Sequence, residues 1–89
     1  QAEGLVLAEF YSDSCLPCKR LAATLPKVEA AHDDLKVVKI NVKYDKELTQ
    51  RYGVLSTPTL LYLRRGEELD RQTGAVRQQD IEEKLEALL

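Results

Sequence analysis

Nothing in this 89-residue chain approaches the roughly 18 consecutive apolar residues of a membrane-spanning helix. Charge of one sign is also missing as a block: 13 lysines and arginines are scattered among 15 aspartates and glutamates, for a net charge of -2. That balance argues against nucleic acid or an anionic membrane surface as the partner. Gln1 to Gly4 form neither a basic leader nor an amphipathic transit segment, which leaves a cytoplasmic chain or one whose leader has been removed. Histidine occurs once, at His32, and cysteine twice, at Cys15 and Cys18. These are too few ligands for a zinc site within one chain, and too few cysteines for the disulfide framework of a small secreted domain. Internal repeats and low-complexity tracts are absent.

What is present suits one folded domain over residues 1–89. With 44% hydrophobic and 31% charged residues, the composition lies well away from that of disordered chains. The length is near the lower limit for a core that needs no staples. Leu5 to Tyr11 is an apolar run closed by the turn formers Ser12, Asp13 and Ser14, and predicts a buried strand. From Cys15 to about Ala31, Cys18, Leu21, Ala22, Leu25 and Val28 fall at helical spacing on one face. Pro26 interrupts that helix, and a kink is expected there because the stripe continues beyond it. The β-branched run Leu35 to Val42 predicts a second strand, and Asp45 a capped short helix bearing Leu48 and Tyr52. Thr59 to Leu63 and about Glu68 to Thr73 make a hairpin through Arg64, Arg65 and Gly66, and a last helix runs from Gln78 to Leu88. The order β-α-β-α-β-β-α implies an α/β fold with a four-stranded mixed sheet flanked by helices.

The chemistry concentrates in C-x-x-C. Two cysteines three apart on a helix are close enough to be bridged. At a helix N-terminus, free N–H groups and the positive end of the dipole favour an anion, so Cys15 is expected to be the acidic, attacking thiol. Cys18, one turn further in on the core-facing stripe, is expected to stay protonated and then resolve the mixed disulfide. Pro17 stiffens the turn early in the helix, where its missing N–H matters little, and Leu16 offers apolar surface to a partner. Two other uses of the pair remain on the residues alone: a metal site shared between chains, and an inert buried pair. Glu9 stands out as an acid inside an apolar strand, either buried or turned to solvent at the strand end.

Taken together, AEFYSDSCLPCKRL, VVKINV, YGVLSTPTLLYL and TGAV resemble, in order, the segments of the thioredoxin family. The resemblance implies the thioredoxin fold and a thiol-disulfide oxidoreductase, in its reducing form a protein disulfide reductase in the cytoplasm. It implies no cofactor or metal beyond the redox-active Cys15–Cys18 pair. The partners it implies are protein disulfide substrates and a reductase or other electron donor. It makes Pro58 a cis-proline lying against the sulfurs, although on the residues alone an ordinary trans turn would serve. Thr57 then pairs through its backbone with an extended substrate segment, and Gly74 and Ala75 border the sulfurs. It also places Glu9 beneath Cys18 as the proton acceptor, with Lys39 on the adjacent strand favouring the ionised form.

The sequence departs from the family pattern in several places. Ser14 replaces the usual tryptophan, C-L-P-C the usual C-G-P-C, and Thr57 a larger aliphatic residue; the family's helix proline falls at Ala23, with Pro26 nearby. The family's N-terminal strand and helix have no counterpart. Leu35 to Val42 is therefore expected at a sheet edge, in a minimal or excised domain that is a monomer or a weak dimer. Two rival functions are a secreted disulfide oxidase or isomerase, and a non-catalytic binding module using the groove at Pro58.

Overall fold

The computed structural model describes residues 4–89. Four strands form one sheet in the order β2-β1-β3-β4, where β1 is Leu5–Tyr11, β2 Leu35–Asn41, β3 Thr59–Arg64 and β4 Glu67–Thr73. β1 runs parallel to β2 and antiparallel to β3, and β3 and β4 form the antiparallel hairpin. The run read as a strand to Val42 is thus an outer strand of the sheet, ending one residue early at Asn41. The hairpin turns on Arg65 and Gly66, both at positive φ (56° and 79°), the handedness that matches strand twist in a two-residue turn.

Pleating separates the two faces of β1. Leu5 and Leu7 point to one side, where they pack with Leu35, Leu60 and Tyr62 beneath helices α1 (Leu16–Ala31) and α3 (Gln78–Leu88). Those helices contribute Leu21, Leu25 and Val28, and Ile81 and Leu85. Ala8 and Phe10 point to the other side and pack with Leu61, Leu63 and Val54, with Leu48 and Tyr52 of the short α2 region (α2, Lys46–Arg51) against them. The β1 residues Leu7, Ala8, Glu9 and Phe10 are all fully enclosed, so this strand is the centre of the domain.

Helix α1 is continuous through Pro26. Its buried stripe is Cys18, Leu21, Leu25 and Val28; Ala22, expected on that stripe, is exposed. One residue past Leu21 is rotated by about 100°, and the contact with the sheet is too narrow to include it. The helix starts at Leu16 rather than Cys15, because Cys15 is extended (φ -90°, ψ 110°) and serves as the cap. Asp45 caps α2 as its type predicts, its carboxylate accepting the Leu48 N–H at 3.1 Å.

Candidate active site

Because β1 and β2 are parallel and β3 opposes them, the C-terminal ends of β1 and β2 and the N-terminal end of β3 meet at one edge of the sheet. The chain leaves β1 there through Ser12 and Asp13 and enters α1. The Cys15 N–H donates to the Ser12 carbonyl at 3.4 Å, closing the turn. Cys15 and Cys18 are joined as a disulfide with Cα atoms 5.2 Å apart. The Cys15 sulfur accepts the Cys18 N–H at 3.2 Å, so one of the helix's unpaired N–H groups is aimed at that atom. Pro17, in the first turn, has no N–H to leave unsatisfied. Cys18 sits on the buried stripe at 4% exposure against 8% for Cys15, while Leu16 between them is 67% exposed.

Glu9 lies on the α1 side of the sheet, on the same face as Leu5 and Leu7, between Lys39 of β2 and Leu60 of β3. It is wholly buried, and neither carboxylate oxygen has a hydrogen-bond partner. Burial pushes its pKa above the ordinary carboxylate value, and the positive charge of Lys39 partly opposes the rise. Lys39 itself is exposed, with its ammonium 4.9 Å from the centre of the Tyr11 ring. Of the two readings of Glu9, the buried one is therefore what the fold adopts.

The Thr57–Pro58 peptide is cis, and Pro58 is buried. Its carbonyl accepts the Gly74 N–H at 3.0 Å, which joins the proline loop to the loop before α3, where Gly74 takes φ 84° and Ala75 is exposed. Thr57 in turn meets Ser12, their hydroxyls 3.2 Å apart, so the proline loop is fastened to the turn that presents Cys15. Ser12 reads in the sequence only as a turn former. A contact between residues 45 apart has no local signal. Arg71 was equally silent: from β4 it donates to the carbonyls of Tyr52 at 2.6 Å and Gly53 at 3.4 Å, while Glu68 holds its guanidinium at 2.7 Å. Those bonds pin the end of α2, and with it the start of the loop leading to Pro58. Among the described residues no group of three or more His, Cys, Asp or Glu side chains is gathered for a metal, and no helix is long and apolar enough to cross a membrane.

A bridged pair of this kind opens only when two electrons arrive from a dithiol, and closes by delivering them to another disulfide. The fold and the pair thus define the class, a thiol-disulfide oxidoreductase on an α/β sheet. The sequence model of the family described as Thioredoxin matches residues 1–87, and the chain belongs to the thioredoxin family. It is 43% identical over 74 residues to a thioredoxin of Bacillus subtilis, an alignment spanning 82% of this chain and 71% of that protein. Among solved structures, the germline-specific thioredoxin Deadhead of Drosophila melanogaster superposes with a TM-score of 0.90 at 31% identity, covering 98% of this chain and 83% of the other. A thioredoxin of Nicotiana alata gives 0.89 at 31% identity, covering 98% and 75%.

Proposed function

We propose that the chain is a protein disulfide reductase of the cytoplasm in which Cys15 is the nucleophile and Cys18 the resolving thiol. The observation that carries this assignment is the Cys18 N–H aimed at the Cys15 sulfur at the helix cap. In the reduced protein that bond and the helix dipole favour a thiolate on Cys15 over one on Cys18. The Cys15 thiolate attacks one sulfur of a substrate disulfide, that S–S bond breaks, and the departing sulfur leaves as a thiolate and takes a proton. Glu9, as carboxylate, receives the proton of Cys18. The Cys18 thiolate then attacks the Cys15 sulfur, forming the internal disulfide and expelling the second substrate thiol. Two electrons have passed to the substrate, and a dithiol donor restores the starting state. Lys39 favours the ionised form of Glu9. Leu16, Pro17, Thr57, Pro58, Gly74 and Ala75 form the surface that receives the substrate, with Thr57 pairing by its backbone to an extended segment.

The test is trapping. A Cys18→Ser variant, offered a peptide disulfide, accumulates a covalent adduct at Cys15 that mass spectrometry detects, whereas Cys15→Ser forms none and does not reduce insulin. Equal rates of alkylation of the two thiols at neutral pH would overturn the assignment of roles. A redox potential measured against glutathione fixes the direction of exchange; a value well above the glutathione couple would replace reductase with oxidase.

A further inference from the structure

We propose that Ser12 is a positioning residue for protein substrates: its hydroxyl, 3.2 Å from that of Thr57, fixes the spacing between the backbone that receives the substrate segment and the sulfur that attacks it. This rests on the exchange reaction and the substrate surface given above. A protein disulfide has to meet two sites at once, an extended segment along Thr57 and a sulfur in line with Cys15. Neither site lies within a strand: Cys15 caps α1 after the turn that leaves β1, and Thr57 precedes β3. Sites held at the right separation before docking lose less freedom on docking, and correct alignment of the reacting atoms follows from it.

The turn after β1 has a firm base on its β2 side. The Asn41 amide donates to the Asp13 carboxylate at 3.2 Å, and its oxygen accepts the Lys43 N–H at 2.9 Å, which fixes the orientation of the amide. At Ser12 the carbonyl accepts the Cys15 N–H while the hydroxyl reaches Thr57, so one residue touches both the attacking cysteine and the docking backbone. The proline loop is less restrained. Leu55 and Ser56 are exposed, and the Thr59 hydroxyl closes the loop on itself by donating to the Ser56 carbonyl at 2.7 Å. Gly74 ties Pro58 to the loop before α3, but among the hydrogen bonds of the described residues in this loop, the one at Thr57 alone reaches the turn that carries Cys15. Ser12 and Thr57 are both half-buried, which shields their bond in part from competing water. A small disulfide that meets Cys15 without lying along Thr57 is indifferent to the spacing this bond sets.

That difference supplies the test. Reduced protein is mixed with excess disulfide, and the second-order rate constant of its oxidation is measured with two probes: a peptide dimer joined through a central cysteine in each copy, and hydroxyethyl disulfide, which has no peptide segment. Ser12→Ala should lower the ratio of the peptide constant to the small-disulfide constant about fivefold, the factor expected of one hydrogen bond, and Ser12→Thr should restore most of it. Thr57→Val, which keeps the side-chain shape and removes the hydroxyl, should lower the ratio equally, and the double variant should fall no further, as for two residues acting through one bond. A ratio unchanged in Ser12→Ala, including an equal fall for both probes, would overturn the positioning role, as would losses that multiply in the double variant. A wild-type ratio of one would instead overturn docking along Thr57, and failure of both probes to oxidise the protein would overturn the exchange reaction, each taking the positioning role with it.

Discussion

Replacing Glu9 by leucine should make the protein more stable and less active at the same time. In the folded chain the carboxyl group is fully enclosed without a hydrogen bond, so its charged form is poorly tolerated. Its pKa is raised above 4.5 by burial, with Lys39 only partly opposing. The sign of the pH dependence follows. Between the unfolded value and the raised folded value, the native state holds a proton that the unfolded state has released. Wild-type stability therefore falls as pH climbs through that window, by about 1.4 kcal/mol for each tenfold gain in proton affinity on folding, and is level above it. Leucine has no such loss, and by comparison with the replacement of other buried charges by apolar residues the gain is about 1–4 kcal/mol at pH 8. For a domain of this size each kcal/mol raises Tm by roughly 4–8 °C. Urea unfolding of the oxidised wild-type and Glu9→Leu proteins at several pH values from 4 to 8 measures the gap directly. The gap should be smallest near pH 4 and widen upward, while release of the mixed disulfide slows by at least about tenfold at pH 7. A gap independent of pH, or a variant less stable than wild type at pH 8, would refute the account of Glu9 as a strained buried acid.

Tyr62→Phe removes a buried hydroxyl that donates to the Gln72 side chain at 2.6 Å, and should cost about 1 kcal/mol in urea unfolding without altering Cys15 reactivity. Gly74→Ala meets no atom within 4 Å of its new Cβ, so its effect comes from φ 84° alone; roughly 1–2 kcal/mol lost in thermal unfolding is expected, and no loss would indicate that the loop relaxes freely. Leu25→Ala opens a cavity between α1 and the sheet and should destabilise by about 2–5 kcal/mol, measured by the shift of the urea midpoint at constant slope.

The chemical group at the centre of the site was readable because it is local. Cys15 and Cys18 lie within one helical turn, and an N-cap needs only a few residues to form, so spacing alone placed two thiols at a helix start. Glu9 was recognisable as an anomaly for the same reason, an acid inside a continuous apolar run, but LVLAEFY does not say whether its carboxylate finds a partner. That answer required β2 and β3 on either side of it and α1 above. The exposure of Ala22 belongs to the same class: helical period marks a stripe, and the opposing sheet decides its width.

Strand and helix positions were set by local patterns of apolar residues, by capping and by the short hairpin, all of which act over a few residues; the parallel β1–β2 pairing follows from the helical crossover between them, and the outer place of β2 was expected from the family resemblance. The tertiary structure decided the contacts between residues far apart in the chain: Ser12 against Thr57, Gly74 against Pro58, Arg71 against the carbonyls that end α2, and the enclosure of Glu9. These depend on which strand ends converge. Convergence comes from packing both faces of β1 at once, a condition no single segment carries.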